Sequence, residues 1–71
     1  MHKTFKVIRV AGTSPTSHED AVRNAILDVH ESLRGLNWFQ VIEQRGRIDE
    51  NGKVVEWQVV LDVAFKVEGH K

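Results

Sequence analysis

The sequence predicts an α+β fold with the element order β-α-β-β and a three-stranded antiparallel sheet. Three observations predict it: an apolar-rich segment near the N-terminus, one stretch whose apolar residues recur with helical spacing, and two long alternating segments joined through an Asn-Gly pair. The chain has 71 residues, of which 41% are hydrophobic. We therefore expect a single domain over residues 1–71 with one small core.

A cluster of turn and capping residues separates the first strand from the helix. Phe5 to Ala11 forms the apolar-rich strand segment, and GTSPTS, Gly12 to Ser17, follows it. Thr16 followed by Glu19 fits a capping box at the helix start, and Gly35 fits a left-handed cap at its end. The stripe between them predicts an amphipathic helix of about five turns. Its apolar positions are Val22, Ala25, Ile26, Val29 and Leu33.

The two later segments, residues 37–49 and 53–67, form a predicted hairpin. Between them lies Glu50-Asn51-Gly52, and Asn-Gly between alternating segments is a strong hairpin signal. The helix can cover only one face of the sheet, so the opposite face has no cover within one chain. On the last strand the helix-covered face carries Val55, Trp57, Val59, Leu61, Val63, Phe65 and Val67, and the other face carries Glu56, Gln58, Asp62 and Lys66.

The hairpin loop decides which of the adjacent aromatics Trp38 and Phe39 faces the helix, because neighbouring strand residues point to opposite faces. A strict two-residue turn would put Trp38 in the core, whereas a three-residue loop or one bulge would put Phe39 there. We favour the second arrangement, since strands this long need a bulge or strong bend to curl around one helix. It places Phe39 and Val41 in the core, and Trp38, Gln40, Ile42, Gln58 and Val60 on the uncovered face.

Trp38 on an uncovered face exposes an apolar area that a soluble monomer would avoid, which indicates a partner chain or a flat ligand. The indole is therefore either an ordinary interface aromatic or a stacking surface for a planar heterocycle. Gln58 is either a solvated residue or an amide that offers a donor and an acceptor to a ligand edge. Arg45 and Arg47 are either solvated cations at a strand end or a clamp for a phosphate or carboxylate.

Composition excludes several classes of protein. The absence of cysteine removes disulfides and the commonest structural zinc ligand, which leaves oligomerisation as the means of stabilising so small a domain. Ten Lys and Arg balance ten Asp and Glu, which argues against nucleic-acid binding by bulk attraction. MHKTFKVIRV contains no long apolar run, so we expect no signal peptide, no membrane span and a cytoplasmic location.

No residue pattern indicates a catalytic or metal site, so we expect a binding protein and not an enzyme. Cysteine and tyrosine are absent, and no serine lies in a nucleophile elbow. GTSPTS lacks the GK[ST] ending of a phosphate-binding loop. His30-Glu31 begins an HExxH pattern, but Arg34 stands where the second histidine ligand belongs.

Four motifs are spread over nearly the whole chain: V-I-R-V-A-G-T-S, L-N-W-F-Q-V, Q-R-G and W-Q-V-V-L-D-V-A-F-K-V. In these motifs the chain resembles the dodecins, a family of small flavin-binding proteins. The resemblance implies a protomer whose sheet is partly wrapped around its one amphipathic helix. It also implies assembly into a hollow homododecamer that binds flavins in pairs at two-fold axes.

The resemblance further implies a role for three residues. Trp38 would stack on the isoalloxazine ring, Gln58 would hydrogen-bond its edge, and Arg45 would lie at the pocket mouth near the ligand. FMN is the implied flavin, with riboflavin and FAD as alternatives and coenzyme A as a further ligand of some members. The implied function is non-catalytic storage, buffering and photochemical quenching of flavin. Ala64 and Lys66 stand where many relatives have glycine and arginine, which bears on phosphate or coenzyme A contacts there.

Two other functions stay open beside this one. A structural or interaction module would form the same oligomer without a ligand. A small RNA-binding domain would use Trp38 and Arg45, although zero net charge disfavours it. The expected partners are further copies of the chain and a flavin, with no nucleic acid and no membrane.

Overall fold

The computed structural model describes residues 2–67 and contains the four predicted elements in the predicted order. The three strands form one antiparallel sheet in the order β1-β3-β2, so β3 is central and β2 lies at an edge. The predicted fold class is confirmed. Within residues 2–67, no helix has the length and apolar character needed to cross a membrane. The elements are β1 (Phe5–Ser14), α1 (His18–Ser32), β2 (Leu36–Ile48) and β3 (Val54–Lys66).

The start of α1 lies one residue later than predicted. Ser17 is the N-cap, and its hydroxyl accepts a hydrogen bond from the Asp20 backbone N–H at 3.0 Å. The Asp20 carboxylate accepts a hydrogen bond from the buried Ser14 hydroxyl at 2.8 Å. The predicted capping box of Thr16 and Glu19 is therefore wrong. A hydroxyl residue followed three positions later by an acidic residue recurs at 17 and 20, and only there does Ser14 supply a partner for the carboxylate.

The end of α1 is capped by Leu33, whose backbone N–H donates to the Val29 carbonyl at 3.0 Å. Gly35, the predicted cap, has a left-handed φ of 78° but lies two residues further on. Its carbonyl accepts a hydrogen bond from the Lys66 N–H at 3.0 Å. The glycine thus turns the chain from the helix into the sheet beside β3.

The hydrophobic core lies where α1 packs on β1 and β3. Gly12 of β1 permits close contact with the helix, because a Cβ at this position would lie 2.5 Å from the Ala21 carbonyl oxygen and 2.7 Å from the Ala25 Cβ. Small residues on both elements therefore bring the helix down onto the sheet. The buried apolar residues are Ala21, Ala25, Val59, Leu61, Val63 and Ala64.

The hairpin has a three-residue loop, residues 50–52. The Asp49 N–H donates to the Lys53 carbonyl at 2.8 Å, and Gly52 closes the loop with a φ of 82°. Trp38 lies opposite Ala64, and Phe39 lies opposite Val63. We call the face carrying Val59, Leu61 and Val63 the helix face, and the face carrying Gln58, Asp62 and Ala64 the outer face. The favoured arrangement, with Trp38 on the outer face, is confirmed.

The prediction that Phe39 belongs to the core is wrong in one respect. Phe39 lies on the helix face, as expected, yet it is 49% exposed. The reason is that α1 packs mainly on β1 and β3 and leaves most of the edge strand β2 uncovered. The chain is also elongated, with a radius of gyration of 15.0 Å against about 11 Å for a compact domain of this length.

Candidate functional site

The three predicted site residues, Trp38, Arg45 and Gln58, all lie on the outer face. Arg45 is paired with Gln58, and Trp38 is paired with Ala64. Because Trp38 and Arg45 are seven positions apart, a regular strand would point them to opposite faces. A bulge at Ile42, between Val41 and Glu43, adds the one residue that returns both to the same face. The bulge in β2 therefore makes the candidate site.

The same pairing separates the site residues along the sheet. Gln58 and Ala64 are six positions apart on β3, so Trp38 and Gln58 lie about 20 Å apart at a rise of 3.3 Å per residue. A single planar ring cannot contact both residues of one chain. The outer face thus has a Trp38 end and a Gln58–Arg45 end.

At the Trp38 end, Phe5 supports the indole from one side. The two rings meet edge to face, with centroids 6.1 Å apart and planes at 62°. Trp38 remains 43% exposed, whereas Ala64, on the strand between the two aromatic residues, is completely buried. The indole is therefore fixed by an aromatic neighbour and still offers a flat apolar surface.

Next to Trp38, an apolar groove opens between α1 and the start of β2. Its volume is about 650 Å³. Leu27, on the helix side of the groove, is 62% exposed. An open apolar surface of this kind marks a contact with another molecule. The groove is lined by Val22, Ile26, Leu27, Leu36, Phe39 and Val63, with Glu19, Arg23, Asn37 and Trp38 around them.

At the Gln58–Arg45 end, two carboxylates orient the polar groups. The Gln58 Nε2 donates to Glu56 Oε1 at 2.8 Å, which leaves its Oε1 and a second N–H for a ligand. The Arg45 Nη2 donates to Glu43 Oε1 at 2.8 Å, and the arginine side chain is half exposed. Arg47 lies further along, with its Nε 3.7 Å from Glu56 Oε1. This end combines an oriented amide with an exposed guanidinium.

An ion pair lies between the two ends. Arg9 on β1 donates to both carboxylate oxygens of Asp62 on β3, Nε to Oδ1 at 2.7 Å and Nη2 to Oδ2 at 3.1 Å. These hydrogen bonds from Arg9 hold the pKa of Asp62 below its ordinary value and raise the pKa of Arg9. The pair links β1 to β3 on the outer face.

His18, Glu43 and Glu56 contact site residues but were not singled out as site residues from the sequence. The His18 Nε2 lies 2.8 Å from the Arg45 backbone oxygen, and its ring meets the Trp57 ring edge to face at 5.0 Å. His18 and Arg45 are 27 positions apart, so no local pattern could have joined them. The two glutamates lie two positions before Arg45 and Gln58, a spacing that places strand residues on one face. That spacing could have predicted that the two glutamates lie beside Arg45 and Gln58.

Together, the residues at the two ends of the outer face offer stacking, hydrogen bonding and anion binding. An exposed indole suits a planar heterocycle, an amide suits a ring edge with adjacent donor and acceptor atoms, and a guanidinium suits a phosphate. In residues 2–67, no three His, Cys, Asp or Glu side chains lie close enough to hold a metal ion. The two ends of the outer face thus carry groups whose chemistry suits different parts of an aromatic anion.

Comparison with known proteins finds close relatives over nearly the whole chain. The family model for Dodecin matches residues 4–68. A dodecin from Thermus thermophilus is 44% identical over 68 residues, which cover 96% of this chain and 97% of that protein. The solved structure of a dodecin from Streptomyces coelicolor has a TM-score of 0.89 at 43% identity and covers 96% of both chains. A relative from Mycobacterium tuberculosis, named calcium dodecin, is 38% identical over 63 residues, covering 89% of this chain and 87% of that protein.

Proposed function

The chain belongs to the dodecin family, and from this premise we propose that it is a non-catalytic protein that binds FMN between its own copies. Trp38 stacks on the isoalloxazine ring, Gln58 hydrogen-bonds the ring edge, and Arg45 contacts the ligand at the pocket mouth. Riboflavin and FAD are the alternative flavins, and coenzyme A is a further ligand to test. The proposed role is storage and quenching of flavin in the cytoplasm, without nucleic-acid or membrane partners.

The observation that carries the proposal is the position of Trp38 and Gln58 on one face but about 20 Å apart. A pocket using both residues needs two copies of the chain. In a two-fold contact each copy presents the same patch, so the Trp38 end of one copy meets the Gln58–Arg45 end of the other. Such a contact creates two pockets at once, which agrees with the paired flavins implied by the family.

The uncovered strand β2 supports assembly independently of the ligand. Phe39 and Leu27 expose large apolar side chains around the groove, and the chain is too extended to bury them itself. Burial of apolar surface is the main favourable term in association. We therefore propose a homododecamer, a particle of about 97 kDa built from twelve copies of the 8.1 kDa chain.

The proposed chemistry needs no acid, base or nucleophile. A flavin stacked on Trp38 would place an electron-rich indole against the excited ring, and electron transfer from indole to flavin would quench fluorescence. The Gln58 amide is already oriented by Glu56, so it need not be ordered when the ring edge arrives. Arg45 is half exposed and retains N–H groups beyond the one donated to Glu43.

Titration of FMN with the protein, followed by flavin fluorescence, tests the proposal. We expect saturable quenching, and we expect Trp38→Ala to weaken binding about 10- to 100-fold, because stacking of a base on an aromatic side chain contributes about 1–3 kcal/mol. Ile48→Ala is the control, since Ile48 is an exposed apolar residue at the hairpin end of β2, and its affinity should stay within about threefold.

Other outcomes would point elsewhere. Undiminished quenching by the Trp38→Ala protein would contradict the stacking role. A large particle that leaves flavin fluorescence unchanged would favour the interaction module. The name of the Mycobacterium tuberculosis relative makes Ca²⁺ the competing ligand, so a parallel Ca²⁺ titration, followed by tryptophan fluorescence, separates that function from flavin binding.

A further inference from the structure

His18 joins the helix to the strand that carries Arg45. The His18 Nε2 lies 2.8 Å from the Arg45 carbonyl oxygen. A carbonyl oxygen only accepts hydrogen bonds, so Nε2 carries the proton and donates. The imidazole also packs edge to face on Trp57, with centroids 5.0 Å apart and planes at 84°. The ring is therefore held on one side by Trp57 and directed at one backbone atom of β2.

The helix end that carries His18 is itself firmly anchored. His18 is the first residue of α1 and directly follows the N-cap Ser17. Ser14 is buried, accepts hydrogen bonds from the backbone N–H groups of Thr16 and Ser17, and donates to Asp20. The loop between β1 and α1 is thus cross-linked by hydrogen bonds. His18 extends from a rigid support.

Arg45, in contrast, lies on an edge strand, whose backbone pairs with β3 on one side alone. Within residues 2–67, His18 forms the one side-chain hydrogen bond between α1 and β2. The bulge at Ile42 precedes Arg45, and Gly46 follows it, and both features loosen the backbone of a strand. The hydrogen bond from His18 to the Arg45 carbonyl therefore adds a restraint to this part of β2.

We propose that His18 is a positioning residue for Arg45 and sets the preference of the site for a phosphorylated flavin over riboflavin. This inference rests on the proposed function and deepens it. The Arg45 guanidinium is tied to Glu43, and the Arg45 backbone is tied to His18. With both ends restrained, the guanidinium has fewer conformations open to it, so less conformational entropy is lost when its remaining N–H groups meet a phosphate. Riboflavin has no phosphate and gains nothing from this restraint.

Two substitutions separate the hydrogen bond from the packing. His18→Phe keeps an aromatic ring against Trp57 and removes the donor, whereas His18→Gln keeps an N–H donor and removes the ring. If His18 only packs, the phenylalanine variant behaves as the native protein does. If the donor positions Arg45, the glutamine variant is the one that retains the native ligand preference. His30→Phe, at an exposed position near the other end of α1, is the matched control.

The measurement is the ratio of riboflavin to FMN dissociation constants, taken from fluorescence quenching of assembled protein at one salt concentration. We expect His18→Phe to lower this ratio about two- to tenfold, the range for one hydrogen bond, by weakening FMN alone. His18→Gln and His30→Phe should keep the native ratio within about twofold. If His18→Phe does not assemble, His18→Leu takes its place in the same titration.

A double-mutant cycle with Arg45→Ala tests whether His18 acts through Arg45. We expect no further loss of the ratio when His18→Phe is added to Arg45→Ala. Additive losses, or equal weakening of FMN and riboflavin by His18→Phe, would overturn the positioning role while leaving flavin binding intact. A native protein that quenches neither flavin would overturn the proposed function, and the inference with it, so the two failures are distinguishable.

Discussion

The part of the sheet that the helix covers buries its apolar side chains, whereas the edge strand β2 exposes them to solvent. In the first half, Val59, Leu61 and Val63 of β3 are buried against α1. In β2 no residue is buried, and even Phe39, on the helix face, is half exposed. One half has completed its core within the chain, while the other has apolar side chains that only another molecule can cover.

The two halves also differ in how their shape is fixed. The helix-covered half has contacts that permit one arrangement, such as Gly12 against Ala21 and the Arg9–Asp62 pair across β1 and β3. In β2, the register changes three times against β3, between Leu36 and Trp38, between Val41 and Glu43, and between Arg47 and Ile48. A bulged edge strand can re-aim its side chains without disturbing a core. The candidate site uses that freedom.

The largest effect on stability should come from shortening a buried side chain in the helix-covered half. Leu61 is completely buried, so Leu61→Ala should reduce the free energy of unfolding by about 2–5 kcal/mol through lost contacts and a cavity. Urea unfolding followed by circular dichroism, at fixed protein concentration, measures it. Lys53→Ala, at the exposed hairpin, is the control and should change it by less than about 0.5 kcal/mol. A small effect of Leu61→Ala would mean that this half is not the core.

A substitution in β2 should act on assembly instead of on folding. Phe39→Ser removes an exposed apolar side chain beside the groove, and we expect each contact between copies to weaken by about 1.5–3 kcal/mol. Native mass should fall at micromolar concentration while the circular dichroism spectrum is retained. Gln44→Ser, also on the helix face of β2, should leave the mass unchanged. If Phe39→Ser unfolds the chain and does not dissociate it, the contrast between the two halves fails.

The smallest effect should come from the ion pair on the outer face, and it should depend on pH. Hydrogen bonds from Arg9 lower the pKa of Asp62 in the folded chain. The pair therefore stabilises the fold above the pKa that Asp62 has when unfolded, and this stabilisation is lost as pH falls through the lower, folded value. Asp62→Asn should reduce the drop in melting temperature between pH 7 and pH 3.

Two further variants check the origin of this pH dependence. Arg9→Gln should reduce the drop in melting temperature in the same way, because the lowered pKa of Asp62 comes from Arg9. Arg23→Gln removes an arginine from the exposed surface of α1 and should leave the pH profile native. An unchanged profile in Asp62→Asn would show that the pair contributes nothing to the acid stability of the chain.

Sequence reasoning predicted the elements well because their signals are local. The three- and four-residue spacing from Val22 to Leu33 and the Asn51-Gly52 pair each belong to one segment. The helix and the hairpin are both confirmed, although α1, with 15 residues, has about four turns and not five. The capping box is wrong by one position, because the choice between Thr16 and Ser17 depends on buried Ser14. Local patterns thus predicted the helix and the hairpin, but not the contact with Ser14 that sets the helix start.

The site depended on contacts that no single segment encodes. The bulge at Ile42, which brings Arg45 to the face of Trp38, cannot be located from the sequence of β2 alone, because its position depends on the pairing of β2 with β3. The hydrogen bond from His18 to Arg45 joins residues far apart in sequence. Residue patterns singled out Trp38, Gln58 and Arg45 as candidates, their roles in flavin binding came from resemblance to a family, and their use together remains a proposal.

Mixing two variants with weakened binding tests the central claim that each pocket is shared by two copies. Trp38→Ala and Gln58→Ala chains would be unfolded together, refolded as an equal mixture and titrated with FMN against each variant refolded alone. If one copy supplies Trp38 and another supplies Gln58, random mixing restores native affinity in about a quarter of the pockets. Because no single chain in the mixture carries both residues, quenching no stronger than that of the separate variants would contradict the shared pocket.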